Sequence, residues 1–399
     1  MTAAVIDDQT TVAVIGGGPA GLIAAEMLAQ SGCRVDLYDR MNSVGRKFQL
    51  AGRGGLNLTH TEALPRFLSR YGAAIPVQAA VAAWPPDALR AWCADLGNET
   101  FVGSSGRVFP HSFKATPLLR AWLRRLDALG VRFHTGHRWT GWANDGALRF
   151  ITPGTEATAN PSATILALGG ASWPRLGSDA GWVPLLQAVG IPVTSLRPAN
   201  VGFHHAWSAV FAGRFAGSPL KRIAATFGGQ TVRGEAVLTT DGIEGGVIYA
   251  LSAPLRDAIA ASGTATLTLD LRPDMDHAAL AVRLGGPGQS QTNALRRAGL
   301  DPAASGLVRE VGGAAPLAER VKALPLVLTG TKPIERAIST AGGIHLDALT
   351  PGFMLHARPG VYAVGEMLDW EAPTGGYLLQ AAFSTGVAAA RAILASGRT

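Results

Sequence analysis

A chain of 399 residues, 47% hydrophobic, with 50 glycines and only 16% charged residues, is a globular protein of two or three domains, not a disordered or fibrous one. Its net charge of +7 comes from 30 arginines and five lysines against 28 acids, a GC-rich coding pattern. The best basic clusters (Arg120, Arg124, Arg125 and Arg132, then Arg296 and Arg297) read as solvated helix faces, so an RNA partner is permitted but not required. Cys33 and Cys93 give neither a disulfide framework nor a metal site. The acidic start MTAAVIDDQTT is not expected to act as a signal peptide, and uncharged windows such as Ala157 to Pro174 read as too broken to span a bilayer. A cytoplasmic protein is the expectation.

The first predicted element is a buried strand, Thr11 to Ile15. It runs into Gly16-Gly17-Gly18-Pro19-Ala20-Gly21, a GxGxxG pattern, and then into a helix that stops at Gly32. A second strand, Val35 to Tyr38, ends in Asp39 and Arg40. Gly16 permits the tight turn, Gly18 lets backbone approach a pyrophosphate, and Gly21 lets helix and sheet pack closely. The helix N-terminus, at Pro19 and Ala20, offers its dipole to phosphates. Asp39 is placed to accept both ribose hydroxyls, which fits FAD or NAD and disfavours a 2′-phosphate.

Three further segments favour FAD. GRKFQLAGRGGLNLTH, Gly45 to His60, brings Arg46, Lys47 and Arg53 together with the Gly52, Gly54 and Asn57 loop, suited to phosphates or a flavin carbonyl edge. ATILALGG ends a strand at Gly169 and Gly170. GVYAVGEMLDWEAPTGGYLLQ, Gly360 to Gln380, carries Gly365, Glu366, Asp369, Gly375, Gly376 and Tyr377 ahead of a helix running to Leu394. There Glu366 is expected to accept ribitol hydroxyls, and the helix start to stabilise charge at the flavin N1/O2 edge.

These segments, with GRVFPHSFKA from Gly106, ALGGASWPRLGSDAG from Ala167 and GEAVLTTDGIEGG from Gly234, resemble the BaiN/RdsA-like family of NAD(P)/FAD-dependent oxidoreductases over nearly the whole chain. The resemblance implies non-covalent FAD, with NAD(P)H as a transient electron donor. It also implies reduction of an activated C=C bond in a small molecule or nucleobase. An oxygen-dependent amine oxidase of the aminoacetone-oxidase type and an rRNA-modifying, dihydrouridine-forming flavoprotein are the alternatives. Leu56 and Leu378 stand where the family usually has Cys and Asn, which marks a divergent subgroup.

The fold expected is α/β: a discontinuous Rossmann-type FAD-binding domain with an inserted, mainly β substrate domain and a small helical subdomain. The FAD domain takes residues 1–190 and 335–399. Strands at Ile223 to Phe227, Ala236 to Thr240 and Thr264 to Leu271 make 191–277 a mostly antiparallel sheet. The helical pattern from Ala278 to Leu324 makes 278–334 the subdomain, and Leu64 to Leu129 reads as largely helical. GGPGQS at Gly285 follows no strand and reads as a loop. No metal site is expected. His60, His111, Trp370 and Tyr377 adjoin the motifs and are the catalytic candidates, and Arg175 and Lys332 are possible anchors for an anionic substrate.

Overall fold

The computed structural model describes residues 11–52, 54–285 and 290–397, which form two compact units, 1–197 with 339–399, and 198–338. In the first unit, β1 (Thr11–Ile15) leads to α1 (Pro19–Gln30), β2 (Arg34–Asp39) and α2 (Arg46–Ala51). The short β3 (Thr59–His60) and α3 (Leu64–Ser69) precede a hairpin of β4 (Thr100–Val102) and β5 (Arg107–Pro110). Then come α4 (Ala115–Ala128), β6 (Arg132–Thr135) and β7 (Ala163–Leu166).

Helices do occupy most of the stretch from 64 to 129, but an antiparallel pair of strands interrupts them. Aromatic and β-branched residues in TFV and RVF favour extended backbone. β5 pairs with both β3 and β4, in the registers Thr59 to Val108 and Phe101 to Phe109.

After the second unit the chain returns with Val361–Ala363 and a last helix, Tyr377–Ser396. That strand completes a five-stranded parallel sheet, in the order Val361–Ala363, β7, β1, β2, β6. Val14 lies between Leu37 and Ile165. Central strands buried on both faces explain the unbroken apolar run of β1. Val12, Val14, Leu22, Ile23 and Leu37 have no exposed surface; each such side chain contributes about 1.5–3 kcal/mol on burial. A Cβ at Gly386 would fall 2.3 Å from the Ala20 carbonyl, so this glycine lets the last helix cross α1 at close range. The last helix is long and apolar enough to cross a membrane, yet more than half of it is buried in this core.

The second unit is built on a seven-stranded antiparallel sheet. Its order is Leu324–Leu328, Ala265–Asp270, Pro219–Phe227, Gln230–Thr239, Gly242–Glu244, Phe203–His204, Gly330–Thr331. All three expected strands fall in it. The separate helical subdomain is not seen: 278–334 belongs to the same unit. Leu280, Leu295, Leu307 and Val321 from its helices share one apolar core with Leu267, Leu269 and Leu326 from the sheet. The chain also re-enters the sheet at Leu324, where the helical pattern ends. The GGPGQS loop lies largely outside the described residues.

Candidate flavin site

The parallel strands deliver their carboxyl ends to one edge, where an open α/β sheet binds ligands. Gly16 leaves β1 with φ 110° and donates to the Tyr38 carbonyl at 2.8 Å. A Cβ there would lie 2.2 Å from the Ala167 carbonyl, and one at Gly21 would lie 2.0 Å from the Gly16 carbonyl. Gly18 differs, for nothing lies within 4 Å of its Cβ position. It caps α1 with no side-chain bond and no acid in the first turn, leaving free N–H groups over open space. Ala20 packs 3.0 Å from the position a Cβ on Gly365 would take.

Asp39 closes this loop. One carboxylate oxygen accepts from Gly17 N–H and the other from Met41 N–H, both at 2.8 Å. Burial pushes its carboxyl above the ordinary value, while those two N–H groups, Arg40 and Arg46 pull the other way. Each oxygen keeps a lone pair for a further donor. α2 starts beside it, with Gly45 N–H donating to the Gly17 carbonyl at 2.7 Å. In α2, Arg46 Nε is buried without a hydrogen-bond partner among the described residues, a donor that an anionic ligand would satisfy.

Several expected cofactor contacts are spent inside the protein. Arg40 pairs with Asp179 and donates to the Pro174 carbonyl, pinning the loop after Gly170 instead of reaching a phosphate. Lys47 Nζ donates to Glu366 Oε2 and Ser172 Oγ, both at 2.6 Å. Glu366 also accepts from Thr340 N–H at 3.0 Å, so it serves first as the partner of Lys47. Gly170 sits against this pair: a Cβ would meet Thr340 Oγ1 at 2.4 Å. Gly169, at φ 72°, offers its carbonyl to Trp182 Nε1 at 2.8 Å.

Gly52 is a packing glycine, where a Cβ would lie 2.7 Å from the Ala115 side chain, and Asn57 donates to the Thr59 and Val108 carbonyls to tie β3 to β5. Gly54 borders open space, and Arg53 lies outside the described residues. Leu56 is fully buried. Asp369 accepts from Thr194 Oγ1 at 2.5 Å. Gln380 has no exposed surface, and its amide NH2 donates to the Trp84 carbonyl and Ser384 Oγ, which turns it into the core. Tyr377, one turn earlier and also buried, meets Glu62 instead.

A second cluster surrounds the start of the last helix. Gly375 and Gly376 have φ of 133° and 99°, and a Cβ on Gly376 would lie 2.5 Å from the Thr59 backbone. No side chain caps this helix, so its first N–H groups are unbonded by it. The Tyr377 hydroxyl donates to Glu62 Oε1 at 2.5 Å, and burial and Glu62 push its ionisation well above the ordinary tyrosine value. Arg70 grips Glu62 through Nε and Nη2 at 3.0 and 2.9 Å, holding that carboxyl below its usual value.

Of the four catalytic candidates, His60, Trp370 and Tyr377 have side-chain polar atoms bonded within the protein, and His111 lies apart. His60 stacks on Tyr377 at 5.8 Å, but Glu62 N–H occupies its Nδ1 and the Ser105 carbonyl its Nε2, so both ring nitrogens are engaged. Trp370 is buried and donates to the Gly365 carbonyl. His111 is exposed beside Phe101 on the hairpin, in a separate aromatic group. Lys332, in the second unit, is buried in an ion pair with Asp241 and near His204, so its charge is already met. Nothing local marks Glu62, Arg70 or Tyr71 in the sequence, because their partner Tyr377 is more than 300 residues away.

The residues present fit FAD: a clear space at Gly18, an uncapped helix start, an unpaired buried Arg46 donor and a carboxylate closing β2. The class so defined is a flavoprotein of Rossmann type. The chain belongs to the HI0933-like family, whose Rossmann-domain model matches residues 10–392. It is therefore an FAD-dependent oxidoreductase, in agreement with the BaiN/RdsA-like resemblance. It is 25% identical to a ribosomal RNA dihydrouridine synthase of Haemophilus influenzae, over 95% of this chain and 97% of that one. It is 26% identical to a 3-dehydro-bile acid delta(4,6)-reductase of Clostridium scindens, over 96% and 98%. Its fold resembles the 3-ketosteroid delta1-dehydrogenase of Sterolibacterium denitrificans, with a TM-score of 0.56 and 13% identity over 97% of this chain and all of that one.

Proposed function

We propose that this protein reduces an activated C=C bond of a small molecule, with electrons that NAD(P)H delivers to its FAD. The observation that carries the reading is the uncapped start of the last helix at Gly376 and Tyr377, a fixed positive dipole end suited to the negative charge a flavin gains at its N1/O2 edge on reduction. The names of both full-length relatives denote saturation of a ring double bond, which supports the same reaction class. FAD supplies hydride transfer; the chain supplies placement and polarity. Arg46 and the α1 N-terminus would hold the diphosphate and Asp39 would orient the ribose, with the Lys47–Glu366 pair lining the turn after Gly169. The test is anaerobic: NADH or NADPH should bleach the bound flavin, and an enone or uracil-like acceptor should restore its colour. If neither nicotinamide reduces the flavin, the reading fails.

A second reading, reduction of a uracil ring in RNA, is favoured by one surface. Phe109 and Phe113 stack at 4.8 Å with Phe101 alongside, and Phe113 is 44% exposed between exposed Arg107, His111 and Lys114. Aromatic faces among cations suit unpaired bases. Phe113→Ala should weaken binding to ribosomal RNA severalfold in a filter assay at low salt; no binding by the wild type excludes this reading.

A further inference from the structure

The network behind Tyr377 exceeds what packing requires. The residue is 5% exposed, and Phe would fill the same space. Instead its hydroxyl reaches a carboxylate that Arg70 grips twice and Arg66 approaches at 3.3 Å. The Tyr71 hydroxyl fixes the Tyr377 carbonyl from the other side at 2.8 Å. A poorly exposed carboxylate is costly unless paired and hydrogen-bonded, so three partners on Glu62 hold a charge in place at the foot of the last helix.

We propose that Glu62 is a positioning residue that acts through Tyr377, fixing the first turn of the last helix and setting the charge felt by the flavin, and thereby the flavin's reduction potential. This rests on the placement of the flavin's N1/O2 edge at that turn, as in the function proposed above. The sign follows from charge. Reduction brings negative charge to that edge, and the Glu62 carboxylate opposes it. Arg70 offsets part of that opposition, whereas Arg66, with 74% of its side chain in solvent, is screened. Replacing the carboxylate by a neutral amide leaves Arg70 uncompensated and favours the reduced state. Five side chains face Glu62: Arg66 from α3, Arg70 and Tyr71 just beyond it, His60 from β3 and Tyr377 from the last helix. Arg70 holds the Glu62 carboxyl below its ordinary value, so Glu62 keeps its charge at neutral pH and its protonation acts only in acid.

The experiment is an anaerobic dye-equilibrated titration of the holoprotein with dithionite, which needs neither nicotinamide nor substrate. At the wild-type midpoint, Glu62→Gln should move the oxidised-to-reduced ratio about tenfold toward reduced, about 30 mV for two electrons. Glu62→Asp, which restores the charge, should recover most of the shift; a merely structural role would leave both variants equally altered. In a Tyr377→Phe background the Glu62→Gln effect should shrink. Lys47→Met is the control for placement, since loss of that cation should lower the potential or release the flavin whatever Glu62 does. A wild-type potential in Glu62→Gln, with Lys47→Met moving it, overturns the role of Glu62 alone. If neither moves it, the flavin placement falls and this proposal with it. Failure of nicotinamides to reduce the flavin would overturn only the donor and reaction class.

Discussion

Gly18 and Gly21 stand three residues apart in one loop, yet substitution at each tests a different thing. A Cβ at Gly21 meets backbone at 2.0 Å, whereas a Cβ at Gly18 meets nothing. Gly21→Ala should therefore destabilise the apoprotein, by about 1–3 kcal/mol or more. Gly18→Ala should leave its melting temperature nearly unchanged and lower the flavin-to-protein ratio on purification. Equal melting temperatures for the two apoproteins would contradict this geometry. Asp39 gives a pH test. Burial raises its carboxyl, so the native apoprotein takes up this proton at a higher pH than the unfolded chain does. On the folding side the group adds stability below the unfolded value and loses it as pH rises through the folded one. For FAD the sign reverses, since only the ionised carboxylate offers all its lone pairs to ribose. Affinity should fall as pH drops through the raised value, and Asp39→Asn should flatten that profile in a flavin-fluorescence titration. The glycine spacing and Asp39 were legible because their reasons are local. The pairing of Arg40 with Asp179, and of Lys47 with Glu366, spans 139 and 319 positions, beyond any local pattern.

At the scale of elements, α3 depends on a single carboxylate. Both its arginine Arg66 and the following Arg70 point to Glu62, ahead of the helix. Arg70 holds that carboxyl below its ordinary value, so the stabilisation is present above the unfolded carboxylate value and is lost as pH falls through the folded one. Denaturant midpoints measured between about pH 6 and pH 3 should show a steeper acid loss for wild type than for Glu62→Gln. Parallel limbs would show that the ion pairs are exposed enough to be screened. The β4–β5 hairpin was missed for a related reason. Its strands are three and four residues long, too short for alternation to register, and β5 gains its second partner from β3, some fifty residues earlier. The last helix was legible from composition and from the Gly375-Gly376 pair, yet its uncapped start acquires meaning only from the strand ends gathered around it.

The whole molecule divides its chemistry unequally between two cores. The first unit joins segments 1–197 and 339–399, and every residue assigned above to FAD lies in it. That discontinuity was legible because motifs at both chain ends carry parts of one binding pattern. The merging of the helices after Ala278 with the antiparallel sheet was not, since shared burial of Leu280 and Leu267 leaves no trace in periodicity. A ligand that binds only the native state stabilises what it touches, by about 2.7 kcal/mol at a hundredfold excess over its dissociation constant. Added FAD should therefore slow amide exchange in β1, α1, α2 and the first turns of the Tyr377–Ser396 helix. Exchange in the sheet from Pro219 to Asp270 should stay as it was, because its core contains none of the cradle residues. Hydrogen exchange followed by mass spectrometry, with and without FAD, reads both sets in one sample. Protection that rose equally in both units would mean that the flavin is also gripped by the second unit, and the binding residues would have to be sought again among its loops.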